Sequence, residues 1–305
     1  MDFEQGKSKG RLPGTGFGTR MVLLIGTNMA IIALFTVVAA IFGVDTSSIT
    51  GLIAFAAVFG FGGAFISLAM SKWIAKRSTG AQVIETPQNA TEQWLVDTVG
   101  RLAAGAGIDM PEVAVYQSDD VNAFATGAKR NDALVAVSTG LLQQMQADEV
   151  EAVLAHEVSH VANGDMVTLT LIQGVINTFV ILISRLIAQL VTDFLTRGRG
   201  GRGVYFMVVI VIQVILGFFA STIVMWFSRR REFRADAGSG ALVGNQKMIQ
   251  ALEALQRDRP GTPLPDAVNA MGIRSSGTRG IEKLFKSHPP IEDRIAALRG
   301  APPVS

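Results

Sequence analysis

Four stretches of this chain are apolar almost throughout. Met21 to Phe42 and Ile49 to Ile74 form a first pair, joined by Gly43-Val44-Asp45-Thr46-Ser47-Ser48. Met166 to Ile183, which continues past Arg185 to Leu195 at lower hydrophobicity, and Val204 to Phe227 form a second pair, joined by Arg197-Gly198-Arg199-Gly200-Gly201-Arg202-Gly203. As a helix, each run is long enough to cross a hydrocarbon core of about 30 Å. The pattern predicts two membrane hairpins, 21-77 and 166-227. The first run is too long for the core of a signal peptide and lacks a convincing cleavage site, so it reads as a retained helix. Gly51, Gly60, Gly62 and Gly63 in the second run read as close helix packing.

The polar stretches divide into an N-terminal segment 1-20, a segment 78-165 and a segment 228-305. Gln88 to Ala106 has helical periodicity, with Trp94, Leu95, Val99 and Leu102 on one side and Gly105-Ala106-Gly107 at its end. Val113 to Tyr116, Asn122 to Gly127 and Ala133 to Val137 are short apolar runs between turn signals and read as strands. Ser138-Thr139-Gly140 starts a further helix. Asp148 is the expected N-cap of the next one, with Glu149 and Glu151 in its first turn. Glu232 to Ala254 is helical in pattern, Arg257 to Thr278 reads as a proline-containing loop, and a short helix follows Ser287-His288-Pro289-Pro290. The expected architecture is therefore an α+β integral membrane protein, with four mostly apolar helices in two hairpins and a mainly helical soluble part with a small sheet.

One stretch carries chemistry: Ala155-His156-Glu157-Val158-Ser159-His160-Val161. Residues four apart share one face of a helix, so His156 and His160 reach one metal ion together. Glu157 presents a carboxylate to a water on that ion. Imidazole nitrogens suit zinc, and an open coordination position makes such a site catalytic. The alternative is a solvated helix that carries these residues by chance. The apolar flanks Ala152-Val153-Leu154-Ala155 and Val158, Val161, Ala162 argue for a dry metal site instead, and two of the chain's 3 His are spent here.

Two histidines leave zinc short of a protein ligand. Glu232, directly after the fourth apolar run, returns to the level at which His160 left. Asp236 lies one turn on and shares its face, placed to accept from the free ring nitrogen of a zinc-bound histidine. The other reading of Glu232 and Asp236 is an exposed acidic pair that balances the arginines nearby. His288 and Arg294 are either structural or donors to the oxyanion that forms when water attacks a carbonyl. Ser228-Arg229-Arg230-Arg231 reads as a basic anchor at anionic headgroups.

Composition sharpens this picture. The chain has 305 residues, 49% hydrophobic and 17% charged, below the usual quarter charged of soluble domains. Net charge is only +2, without basic–aromatic interleaving, which argues against a nucleic-acid partner. With 0 Cys, disulfides and thiolate metal sites are excluded. Lys7, Lys9, Arg11 and Arg20 before the first hairpin, and Lys72, Lys76 and Arg77 after it, place both its ends in the cytoplasm. Arg197, Arg199 and Arg202 oppose that rule for the second hairpin, which is expected either to span or to be partly embedded.

The motifs together resemble the HtpX family of membrane-bound zinc metalloproteases, relatives of the CAAX prenyl endopeptidases within the gluzincins. The resemblance rests on His156 to His160, Asn163-Gly164-Asp165, Asn122 to Gly127, Glu232-Phe233-Arg234-Ala235-Asp236 and Ser287-His288-Pro289-Pro290, and covers nearly the whole chain. It implies one Zn2+ per chain on His156, His160 and Glu232, with Glu157 as general base and Asp236 orienting a histidine ligand. It implies His288 and Arg294 as stabilisers of the tetrahedral intermediate, and Asn122, Ala123 and Phe124 on an edge strand that holds substrate backbone. It further implies a zincin-like domain of the bacterial cytoplasmic membrane, facing the cytoplasm with both termini, that acts on misfolded membrane proteins under stress. Two other readings stand beside it: a non-catalytic, zinc-stabilised membrane scaffold, and a protease for lipidated peptides. Oligomeric state is not legible.

Overall fold

The computed structural model describes residues 48–197, 199, 201–257 and 288–300. The expected first membrane helix, the N-terminal segment and the proline-containing stretch from residue 258 lie outside them. The described elements are α1 (Ile49–Ala69), α2 (Ser71–Thr79), β1 (Gln82–Val83), α3 (Ala90–Ala106), β2 (Glu112–Tyr116), β3 (Ala123–Lys129) and β4 (Asp132–Ser138). They continue with α4 (Thr139–Gln144), α5 (Ala147–Asn163), α6 (Asp165–Thr196), α7 (Arg202–Val243), α8 (Asn245–Arg257) and α9 (Ile291–Leu298). Among the described residues, α1, α6 and α7 are long and apolar enough to cross a membrane. The chain is thus mostly helical, with a small sheet and three membrane-capable helices.

Two boundaries differ from the hydropathy pattern. The run Ile49 to Ile74 splits at Met70, because Ser71 onward is amphipathic: Ala75 is buried under the sheet, while Lys72 and Lys76 reach Glu112 at 2.8 and 3.0 Å. The fourth run does not stop at Phe227. α7 continues unbroken for 42 residues to Val243, since Ser228 to Arg231 contain no helix breaker and arginine is a good helix former. The break comes at Gly244, whose φ of 94° takes the backbone out of the helical region. A helix of that length spans roughly 60 Å, about twice a hydrocarbon core. Its last third is therefore available to the polar part of the chain.

The chain divides into two compact units. In one, which includes Ile181–Ile215, Ala188 and Val209 are buried together and the Arg185 guanidinium lies 4.3 Å over the Phe55 ring. Leu190, Phe194 and Met207 are exposed there, an apolar surface that water would not favour. The other unit, Ala57–Val180 with the residues from Leu216 on, contains the sheet, α5 and the C-terminal part of α7. In it, a Cβ on Gly60 would come within 2.6 Å of the Thr178 backbone nitrogen, as close helix packing predicts. Gly62 and Gly63 face open space.

The sheet runs β1-β2-β4-β3, with β2 parallel to β4 and the other pairs antiparallel. The two-residue β1 has no alternation to read and was not expected. Side chains alternate cleanly between two cores. Val113, Ala123, Ala125, Val135 and Val137 join α3, α5 and α8 in the large one. Ala114, Tyr116, Phe124, Leu134 and Ala136 meet Ala75 of α2 on the other face. Among the described residues β3 is an edge strand, paired with β4 alone.

α5 crosses beneath this sheet. Its N-cap is Gln146, not the expected Asp148: the Gln146 N–H donates to the Glu149 carboxylate at 2.8 Å, a reciprocal cap that Asp148 has the wrong position to make. Every residue from Glu149 to Val161 is buried. Gly164, in the left-handed conformation at φ 66°, ends α5 and donates its N–H to the carbonyls of His160 and Val161, after which α6 begins.

The end of α7 lies antiparallel against α5. Ser239 donates to the Ala152 carbonyl at 2.8 Å, Asp236 meets His156 and Glu232 meets His160. Between them the helices touch at Gly238, where a Cβ would stand 2.5 Å from Ser159 Oγ and 2.8 Å from its Cβ. Gly238→Ala is expected to force the pair apart, destabilising the protein by about 1–3 kcal/mol and lowering its bound metal. Gly217→Ala on the same helix, with nothing within 4 Å, is expected to change neither. Thermal melts and metal analysis of the two purified variants distinguish these outcomes.

Candidate active site

His156 and His160 lie one turn apart on α5, 0% and 4% exposed. Each Nδ1 meets a carboxylate, which only accepts, so each Nδ1 carries a proton and donates it. His156 donates to Asp236 Oδ1 at 2.9 Å, and His160 to Asp165 Oδ2 at 2.6 Å. Both Nε2 atoms therefore turn toward one point, 3.1 Å apart. Glu232 closes the triangle, with Oε2 3.5 Å from His156 Nε2 and Oε1 3.4 Å from His160 Nε2. The three residues offer ligand atoms within 4.8 Å of one another, all buried.

These spacings fit a metal. Tetrahedral zinc, with bonds of about 2.0–2.1 Å to nitrogen and oxygen, holds its ligand atoms about 3.3–3.4 Å apart. The chemistry fits as well: two imidazoles and a carboxylate, each imidazole backed by a second carboxylate. Glu232 Oε1 is buried without a hydrogen bond, an arrangement a cation would relieve.

Around this triangle sit the other expected residues. Glu157 is 1% exposed and accepts the backbone N–H of Ala125. Burial pushes its carboxyl above the usual range, against the pull of the two neighbouring imidazoles. Arg294 is fully buried and grips Asp236 with two bonds, Nε to Oδ2 at 2.8 Å and Nη2 to Oδ1 at 2.6 Å. Its Nη1 is buried without a partner. His288 donates from Nδ1 to Glu232 Oε2 at 2.7 Å. Burial holds His288 below the ordinary histidine value despite the Glu232 charge, and its Nε2 is buried without a partner. The structure thus sets His288 against Glu232, and Arg294 against Asp236 behind His156.

The edge strand divides the three expected positions. Ser138 N–H donates to the Asn122 carbonyl at 2.9 Å, so the backbone of Asn122 faces β4. Antiparallel alternation turns Ala123 and Ala125 outward and Phe124 inward again. The Glu157 contact with Ala125 agrees with this. Phe124 is buried in the second core beside Tyr116, with ring centroids 5.7 Å apart, and so faces away from α5. Asn122 keeps one buried atom, Oδ1, without a partner.

Four contributors were not assigned a place in the site from sequence: Asp165, Arg234, Arg231 and Ala125. Asp165 reaches back over the Gly164 turn to His160, and Arg234 holds its other oxygen at 2.7 Å. Arg231, read as a lipid anchor, is buried, with Nε 3.5 Å from Glu232. Ala125 acts through its backbone. Only Asp165 leaves a signal in sequence, a carboxylate immediately after a helix-ending glycine.

His160 yields a prediction about metal affinity. Burial works against its charge, but the Glu232 carboxylate and the hydrogen bond to Asp165 raise it to about 9. Below that value a proton competes with a metal for Nε2. Divalent-metal affinity of chelator-stripped protein is therefore expected to rise with pH, up to about tenfold per unit for each proton displaced, and to level off near 9. Competition with a chromophoric chelator measures it; a flat profile through the neutral range would contradict the geometry.

Residues 89–301 match the model of Peptidase family M48. Protease HtpX of Stenotrophomonas maltophilia is 56% identical over 286 residues, 93% of this chain and 98% of that protein. Protease HtpX of Xanthomonas campestris is 55% identical over 284 residues, covering 92% of this chain and 97% of that one. The crystal structure of S. mikatae Ste24p is similar in fold, with a TM-score of 0.60 at 20% identity, over 92% of this chain and 64% of that chain. The matched residues include every side chain of the buried cluster, so likeness and geometry concern one site: the chain belongs to peptidase family M48 and is a metallopeptidase.

Proposed function

We propose that the chain is a zinc-dependent endopeptidase of the bacterial cytoplasmic membrane that cleaves misfolded or damaged membrane proteins. The observation that carries this reading is the buried His156, His160 and Glu232 triangle with Glu157 beside it, under the outward edge of β3. Zinc is the ion that two imidazoles and a carboxylate at these spacings suit best. The relatives named Protease HtpX disfavour a non-catalytic scaffold, and such a scaffold has no use for a buried Glu157 against an edge strand. Nothing in the described site selects a lipidated peptide.

When bound, zinc supplies Lewis acidity to a carbonyl and lowers the pKa of a water. The residues of the chain do the rest. An extended substrate pairs with the outward backbone of Ala123 and Ala125. Glu157 takes a proton from the attacking water and returns it to the leaving amine. The raised carboxyl of Glu157 suits a group that both accepts and gives a proton. Arg294 Nη1, a guanidinium donor buried without a partner, is the candidate for the developing oxyanion, with His288 Nε2 the other unpartnered atom beside it. His288 then orients Glu232, and Asp236 and Asp165 orient the two histidines.

The same reading keeps four membrane helices in two hairpins, 21-77 and 166-227, with both polar parts and both termini in the cytoplasm. The site then lies at the cytoplasmic bilayer surface. Cytoplasmic segments of damaged membrane proteins are the substrates nearest to it.

Glu157→Gln is expected to retain zinc at the wild-type level and lose at least about a hundredfold in kcat on an unfolded protein such as casein. Metal analysis and cleavage assays on the same detergent-solubilised preparations test it. Cleavage near the wild-type rate would remove Glu157 from the chemistry. Zinc retained with no hydrolysis by the wild type would return the scaffold reading.

A further inference from the structure

A cleft of about 580 Å³ opens beside the metal triangle, between the start of α6 and the membrane-proximal turns of α7. Two matched helix faces form it. Asp165, Leu169 and Ile172 repeat at helical spacing on α6, and Phe227, Arg230, Arg231 and Arg234 do so on α7. The ion pair of Arg234 with Asp165, at 2.7 Å, closes its charged end. α6 runs away from Asp165 into its apolar stretch, and α7 arrives from its own. Leu169, Ile172 and Phe227 therefore line the end nearer the membrane segments, and the arginines the end nearer the metal residues.

The lining of this cleft is cationic. Three arginines share it with one carboxylate, Asp165, which is already committed to His160 and Arg234, while Arg231 has Glu232 at 3.5 Å behind it. Arg231 is 8% exposed, and its Nε is buried without a hydrogen bond. Among the described residues its charge is met only by Glu232 at 3.5 Å, too long for a hydrogen bond, and an anionic oxygen in the cleft would add a charge-assisted partner for the arginines. Arg230 is exposed and lies 4.3 Å over the Trp226 ring, a pairing of arginine and indole that suits the headgroup level of a bilayer. The volume lies in the range of built ligand sites. A cationic end that continues into an apolar end has the polarity of a phospholipid.

We infer that this cleft binds an anionic phospholipid, its headgroup phosphate on Arg230, Arg231 and Arg234 and its first acyl segment along Leu169, Ile172 and Phe227. The inference rests on the membrane reading of α6 and α7 and not on the peptidase chemistry. The bound headgroup sits one residue from the metal-binding Glu232 and, through Arg234 and Asp165, two contacts from His160. An acidic segment of a protein substrate is the competing occupant, and it has no use for the apolar end.

The test uses the full-length chain, delipidated in detergent and given either phosphatidylglycerol or phosphatidylcholine, with adducts read by native mass spectrometry. One phosphatidylglycerol per chain is expected to persist under activation that removes phosphatidylcholine. Arg230→Gln and Arg234→Gln are each expected to weaken it about fivefold, the weight of one basic residue at an anionic headgroup. Arg230→Lys is expected to keep it. Arg230 touches none of the metal residues, so Arg230→Gln should hold zinc normally and report on the lipid alone. The same retention is expected of Glu157→Gln, which separates this inference from that of the peptidase. Equal retention of the two lipids, or undiminished phosphatidylglycerol in Arg230→Gln, would overturn it. So would displacement of the lipid by an acidic peptide at lower concentration than by soluble glycerol phosphate.

Discussion

Four carboxylates are buried around two imidazoles, and none of them is solvated by water at the surface: Glu157, Asp165, Glu232 and Asp236 are each 2% exposed or less. Taking such charges out of water is expensive unless each finds a counter-charge or a hydrogen bond. Arg294 meets Asp236 and Arg234 meets Asp165. Glu232 and Glu157 face the imidazoles with one hydrogen bond each, from His288 and from the Ala125 N–H, and Glu232 has Arg231 at 3.5 Å. A dication held by His156, His160 and Glu232 would balance what remains. Metal binding and folding of this region are on this account one event, as in other sites where ligands are brought together only by the fold.

That balance depends on the antiparallel contact of α5 with α7. The pairs Ala152 with Ser239, His156 with Asp236 and His160 with Glu232 step down one helix as they step up the other. A register shift of one turn would lose all of them. Gly238 allows the approach, and the Gly164 turn returns Asp165 to His160 before α6 departs. α7 runs without a break from its apolar stretch to Glu232 and Asp236, so one helix carries both.

Sequence alone went far for the features that obey a period. His156 and His160 announce themselves by a spacing of four, and Glu232 and Asp236 by the same spacing after an apolar run that had to return. The strands β2, β3 and β4 showed as apolar runs of the right length. What stayed hidden lies across the periods. Glu112 to Lys72 and Asp165 to Arg234 are long-range pairs that no local pattern encodes. Which strand positions face outward depends on the register with β4, so Phe124 looked as available as Ala123. The basic cluster at Ser228 to Arg231 looked like a helix end because its charges mimic one, yet nothing in it stops a helix, and Arg231 is turned inward. His288 looked like a free donor because its loop said nothing of Glu232.

The third ligand decides whether this account is right, since His288 stands 2.7 Å from Glu232 and either residue could be imagined on the metal. X-ray absorption at the zinc edge of the purified full-length protein resolves the choice, helped by a chain with 3 His and 0 Cys. The account predicts scattering from two imidazoles, with the remaining near neighbours oxygen at about 2.0–2.2 Å. Scattering from three imidazoles would place His288 on the metal and contradict the triangle of His156, His160 and Glu232.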